Sequence, residues 1–110
     1  MLGFLQEHGP YKMEDGETKF QKNDWSWNKE ANMLYIESPA GVGYSYCDSP
    51  RYCQSGDESS SLDNLEALFS FFKKFPEYLK NDLYLSGESY AGIYVPYLAW
   101  RIHEYNLWLN

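Results

Sequence analysis

Apolar and polar positions change period along this chain, and each change marks an element. Leu62, Leu65, Leu68, Phe69 and Phe72 recur at helical spacing and give one apolar face. Ser60 or Ser61 can cap the start of that helix, and Pro76 stops it. Asn32 to Ile36 is instead a short apolar run ended by Pro39 and Gly41, and it reads as a buried strand. Leu83 to Ser86 reads as the next strand. Ala91 to Tyr105 returns to helical spacing, with Val95, Leu98, Ile102 and Tyr105 on one face. Pro96 conflicts with a single unbroken helix. A short turn to Tyr94, then a new helix with Pro96 in its first turn, resolves the conflict. The order strand, helix, strand, helix is a βαβα unit. Its right-handed crossover requires parallel strands, so the expected fold class is α/β.

The flanking segments are less regular. Residues 1–31 read as irregular or short-strand structure. Glu14-Asp15-Gly16-Glu17 is a turn signal that polar strands could flank as a hairpin. Trp25 and Trp27 alternate about Ser26, which suits an extended segment with one aromatic face. Residues 41–56 hold Pro50, both cysteines and three glycines, and form a long loop.

The most telling stretch is Leu83-Tyr84-Leu85-Ser86-Gly87-Glu88-Ser89-Tyr90-Ala91-Gly92. An apolar run enters a serine flanked by small residues, and a helix pattern follows. That is the layout of a nucleophile elbow, where a sharp turn exposes the serine Oγ. Gly87 and Ala91 keep side chains out of a crowded backbone. The Tyr90 N–H could donate to a developing oxyanion. Ala91 stands where the general pattern has a second glycine.

Gly87-Glu88-Ser89-Tyr90-Ala91-Gly92 resembles the nucleophile motif of the serine carboxypeptidases. Ser26 to Tyr46 (SWNKEANMLYIESPAGVGYSY) resembles a second signature of that family, and Phe75-Pro76-Glu77-Tyr78 and Tyr94-Val95-Pro96-Tyr97-Leu98-Ala99 resemble two more. Gln6-Glu7-His8-Gly9-Pro10 is similar to the segment that follows the family's oxyanion-hole glycines. The matches keep the family's order from residue 2 to about residue 106.

The resemblance implies an α/β-hydrolase fold, present here only in part. Residues 1–110 would be a single partial domain, the nucleophile-elbow portion of a catalytic domain. Family members are several times longer. Their catalytic Asp and His lie downstream of the nucleophile, and their oxyanion glycines precede the residues matching Leu2-Gly3-Phe4. The chain is thus expected to be an internal piece, and the remainder of the domain would be required for activity. Removing neighbouring strands would leave open sheet edges, so stable folding alone is not expected.

The resemblance also implies roles. Ser89 would be the nucleophile, with Tyr90 supplying a backbone oxyanion donor. Glu88 would lie buried beside it and pair with Glu7 to bind the terminal carboxylate of a peptide or protein substrate. Two close carboxyls cannot both ionise cheaply. At acid pH such a pair keeps protons and can donate hydrogen bonds to a carboxylate, which implies exopeptidase action with an acidic optimum. A serine hydroxyl needs a base to take its proton. His8 and His103 are the only histidines, and neither matches the family's catalytic one. No metal or organic cofactor is implied. Related members transfer acyl groups, and nothing in the chain separates that from hydrolysis. A truncated, inactive relative that binds a peptide or protein is the alternative.

Composition narrows the remaining classes. Apolar residues make up 44% of the 110, too many for a disordered chain. The net charge of −7, with no basic stripe, argues against nucleic acid as a partner. No apolar run is long enough for a membrane span or a signal core. Family members are secreted or lie in lysosomes and vacuoles, so the secretory pathway is the expected location. Cys47 and Cys53 are read three ways. A local disulfide suits a lumenal family, and two free thiols are the main alternative. Zinc is disfavoured, because two cysteines and remote histidines do not make a tetrahedral set. Gly41-Val42-Gly43 fails as a dinucleotide loop, because the third glycine position is Tyr46.

Overall fold

The computed structural model describes residues 3–109, which fall into two compact units divided between Glu37 and Ser38.

The first unit is built from turns. A single π-helical turn, Gly3–Glu7, is closed by the His8 N–H donating to the Gly3 carbonyl at 2.9 Å. Strands β1 (Tyr11–Lys12) and β2 (Gln21–Lys22) pair antiparallel, with Tyr11 opposite Lys22 and Lys12 opposite Gln21. The Glu17 N–H donates to the Glu14 carbonyl at 3.0 Å, so a turn forms at the predicted residues. Gly16 takes its third position with φ of 85°, a conformation that glycine adopts without a Cβ penalty. Trp25 and Trp27 do not share an extended face. Ser26 Oγ accepts from the Asn28 N–H and caps a 3₁₀ turn over Trp27–Lys29. The capping hydroxyl bends the chain where alternation alone suggested a strand.

The interior of this unit is polar and aromatic. Asn23 and Ser26 are buried. Around them, the His8 ring stacks on Trp27 with centroids 4.5 Å apart, and Phe4 meets Tyr35 at 4.8 Å.

The second unit is a helix pair with a loop before it. Cys47 and Cys53 are joined as a disulfide, Cα to Cα 5.7 Å. Gly41, at φ of 88°, packs on that bridge, where a Cβ would lie 3.1 Å from Cys53 Sγ. Helix α1 spans Asp57–Lys74 and α2 spans Ala91–Leu109. The start of α1 is not capped by Ser60 or Ser61. Gly56 is the cap residue, its N–H donating to Ser59 Oγ at 2.9 Å. Asp57 and Glu58 in the first turn and Lys73 and Lys74 in the last complement the helix dipole. Ser60 and Ser61 are instead fully enclosed, and their small side chains let the helices approach closely. Pro76 opens a 3₁₀ turn, Pro76–Tyr78, just beyond the end of α1.

Helix α2 runs unbroken through Pro96, against the expected interruption. Pro96 removes the donor for the Gly92 carbonyl. Both residues lie on an exposed face, so that carbonyl is open to water and the helix continues. The helices run in the same sense: Asp57 meets Tyr90, Ser61 meets Arg101 and Phe69 meets Tyr105. Their shared core is small, with Leu65, Leu68 and Leu98 as its buried apolar residues among those described. Leu62, placed on the core face by spacing, is exposed.

Neither predicted parallel strand forms among the described residues. Residues 32–38 and 82–88 carry no regular hydrogen bonding, and the only sheet described is β1–β2. Leu34 is 44% exposed and Leu83 47% exposed, where burial was expected. A strand exists through its ladder, and no described segment supplies one to either run.

Candidate active site

The elbow is shaped by sterics before any chemistry. Ser89 has φ of 57°, the only described non-glycine residue with positive φ. A non-glycine residue there costs about 1–3 kcal/mol and persists only where its surroundings fix it. Gly87 is one such constraint. A Cβ on Gly87 would overlap the Ala91 Cβ and lie 3.1 Å from Val95 Cγ2. The methyl of Ala91, a departure from the general pattern, is accommodated because Gly87 has no side chain. From this turn the helix begins at once: the Ala91 N–H donates to the Glu88 carbonyl at 3.0 Å, and the Gly92 N–H to the Ser89 carbonyl at 2.9 Å. Ser89 itself is exposed.

Tyr90 immediately precedes α2, where helical N–H groups lack intrahelical acceptors. Its hydroxyl donates to Asp57 Oδ1 at 2.9 Å and so ties the elbow to the first turn of α1. That hydrogen bond and the negative charge of Asp57 raise the phenol above its ordinary value of 10.0, with small additions from burial and from Tyr94. The link joins residues far apart in sequence, and no local pattern announces it. Deeper between the helices, Arg101 donates to Ser61 Oγ at 3.3 Å and pairs with Glu58 Oε1 at 3.0 Å and Glu104 Oε2 at 3.2 Å.

The two proposed carboxylate-binding residues occupy different units. Glu88 is exposed, which corrects its expected burial beside Ser89. Its flanking segment, 82–88, has no ladder to cover it. Glu7 is also exposed, at the end of the π-helical turn.

The backbone that carries Glu7 is fixed in detail. The side-chain amide of Asn23 donates to the carbonyls of Glu7 and Gly9 at 3.1 and 2.8 Å. The Trp27 N–H donates to the His8 carbonyl at 3.0 Å, and the Asn23 N–H to that of Pro10 at 3.0 Å. Gly9 is enclosed, and a Cβ there would overlap the Phe4 carbonyl oxygen. Sequence reasoning missed Asn23, because a lone asparagine beside a turn carries no spacing signal.

The histidines sit elsewhere. His8 Nδ1 lies 3.1 Å from the Tyr35 hydroxyl. His103 is far along α2, about 20 Å of helix beyond the elbow at 1.5 Å per residue, and packs near Trp100. Among the described residues no cluster of three or more His, Cys, Asp or Glu is placed to hold a metal ion. No described helix is long and apolar enough to cross a membrane.

Comparison with known proteins gives the chain its family. The family model described as serine carboxypeptidase matches residues 1–108. The chain is 48% identical to serine carboxypeptidase-like 22 of Arabidopsis thaliana over 105 residues, 94% of this chain and 23% of that protein. It is 52% identical to the lysosomal protective protein of Mus musculus over 97 residues, 88% of this chain and 20% of that protein. It is 49% identical to serine carboxypeptidase ctsa-4.1 of Caenorhabditis elegans, with 91% of this chain and 21% of that protein covered. The chain thus spans a fifth to a quarter of the length of these curated relatives. A family match over nearly the whole chain means that this chain belongs to the serine carboxypeptidase family, whose fold is the α/β hydrolase.

Proposed function

We propose that this chain is the nucleophile-bearing portion of a serine carboxypeptidase that releases C-terminal residues from peptides. The observation that carries the reading is the elbow. An exposed serine is held at positive φ ahead of a long helix, two residues after a glycine whose Cβ would overlap that of Ala91. The parallel sense of α1 and α2 also supports it, since consecutive helices on one face of a parallel sheet run that way.

In the working enzyme, Ser89 Oγ attacks the carbonyl carbon of the last peptide bond. A histidine from the remainder of the domain takes the hydroxyl proton, and the Tyr90 N–H donates to the oxyanion. Collapse of the intermediate breaks the C–N bond. The same histidine protonates the departing amine, and water then hydrolyses the acyl-enzyme. Where an alcohol replaces that water, the product is an acyl ester. Glu7 and Glu88 bind the substrate's terminal carboxylate in their protonated form, which favours acid pH. No metal enters the scheme. A lysosomal, vacuolar or extracellular location fits the Cys47–Cys53 disulfide, which an oxidising compartment maintains.

Labelling with a fluorophosphonate serine-hydrolase probe tests this reading, at acidic and near-neutral pH, on the chain alone and on protein from its natural source. Labelling of the native protein that disappears in Ser89→Ala is expected, with none of the isolated chain. A folded native protein that does not react with the probe would sink the enzyme reading.

A further inference from the structure

Four consecutive carbonyls, from Glu7 to Pro10, accept hydrogen bonds from residues 23–27. Three of those four bonds come from Asn23 alone: two from its side-chain amide and one from its backbone N–H. Its Oδ1 accepts from the Trp25 N–H at 3.1 Å, so both ends of the amide are engaged. Asn23 is only 5% exposed. No other residue type fills this place. Aspartate has the same shape but at most one donor hydrogen, when protonated, in place of the amide's two, and when ionised it would turn a carboxylate oxygen toward two carbonyls. Glutamine carries the same groups on a stem one methylene too long.

The clamp acts on backbone and leaves the Glu7 side chain free at the surface. Its effect is therefore to fix where the Glu7 carboxyl is presented. We propose that Asn23 is a positioning residue for substrate carboxylate recognition, holding the Glu7–Pro10 turn so that Glu7 meets the terminal carboxylate of the peptide. This rests on the reading of Glu7 as a carboxylate-binding residue. A misplacement of about 1 Å in such a group is enough to lose much of its contribution.

The test compares two substrates of the full-length enzyme at acid pH, an N-blocked peptide with a free C-terminal carboxylate and the same peptide as its C-terminal amide. Three variants are measured: Glu7→Gln, Asn23→Asp and Asn23→Ser, the last keeping one hydroxyl donor. Asn23→Asp is expected to raise KM for the carboxylate substrate about tenfold with kcat largely retained, about what one charge-assisted hydrogen bond contributes. The preference for carboxylate over amide falls by the same factor, and Asn23→Ser falls between the two proteins. A merely structural asparagine would lower activity on both substrates alike and leave the preference unchanged, which overturns the proposal. If Glu7→Gln itself leaves the preference unchanged, the reading of Glu7 fails first. If neither Asn23 variant folds, as judged by circular dichroism, Asn23 is a folding residue and the proposal falls.

Discussion

The turn that carries Glu7 and the turn that carries Ser89 are held in place by opposite means. The first is held by donors. Asn23 and Trp27 satisfy its carbonyls one after another, inside a unit whose buried centre is an amide and a hydroxyl. The second is held by the absence of atoms. Gly87 leaves room for Ala91 and Val95, and Ser89 is pressed into a left-handed conformation that its own chemistry disfavours. Hydrogen bonds fix a backbone that is already relaxed, whereas close packing can store strain. The difference suits the two tasks proposed for them. A residue that binds a carboxylate needs a fixed position, while a nucleophile needs its hydroxyl thrust out of the chain.

The largest effects should come from filling the two glycines. In Gly9→Ala the new methyl overlaps a backbone oxygen of Phe4, which cannot rotate away. In Gly87→Ala it overlaps a side-chain methyl, which a second substitution can remove. We expect Gly9→Ala to cost more than about 4 kcal/mol and to prevent folding of the full-length protein. Gly87→Ala should cost about 1–3 kcal/mol and abolish probe labelling. Adding Ala91→Gly should restore part of both, with a coupling of about 1 kcal/mol in a double-mutant cycle by denaturant unfolding. A coupling of zero would mean that Ala91 does not hold the elbow closed.

What could be read from the sequence divides along physical lines. Helix α1 was legible because Leu65 and Leu68, at i and i+3, share a face whatever surrounds them, and because Pro76 cannot continue a helix, although Leu62 turns out of that face. The turn at Gly16 and the elbow at Ser89 were legible because small residues mark places where backbone is crowded or left-handed. The strands at 32–36 and 83–86 were not, because pairing is a property of the neighbour as much as of the run. Ser60 and Ser61 read as caps, since the same small hydroxyl serves a helix end or a tight helix contact, and only packing decides. The continuity of α2 depends on water reaching the Gly92 carbonyl, a matter of exposure that a proline rule does not contain. Asn23 spans its partners across more than a dozen residues, so its role existed only after folding.

Within the helix pair itself, packing should outweigh charge. Leu98 is the one buried apolar residue that α2 contributes among those described, and Leu98→Ala should cost about 2–3 kcal/mol. Arg101→Gln should cost about 1 kcal/mol or less, since Glu58 is 80% exposed and water competes for the pair. Urea unfolding at low and high salt checks both: salt should narrow the gap between wild type and Arg101→Gln and leave the Leu98→Ala gap unchanged. A larger loss from Arg101 than from Leu98 would mean that ion pairing dominates the contact.

The smallest effect is one of pH at the elbow. The Tyr90 phenol is raised above 10.0 chiefly because it donates to the Asp57 carboxylate, which would repel a phenolate. A group whose value is raised on folding stabilises the fold in its protonated form. That contribution is complete below the unfolded value near 10.0 and is lost as pH climbs through the folded value. Across the acidic and neutral range it is therefore constant, and only alkaline solution should reveal it. Tyr90→Phe removes the hydroxyl and with it this step, so the variant's stability should fall less between pH 9 and pH 11 than that of the wild type. Because Tyr90 is exposed and Asp57 only half-buried, the difference should be small and best read as a shift in urea midpoint. Asp57→Asn separates charge from hydrogen bonding: it keeps an acceptor for the hydroxyl and removes the repulsion. It should remove the part of the alkaline step that comes from repulsion and keep the larger part that comes from the hydrogen bond, together with the tie between α1 and the elbow. An alkaline step that survives undiminished in Tyr90→Phe would belong to another tyrosine or lysine, and the Tyr90–Asp57 bond would then have no part in the alkaline loss of stability.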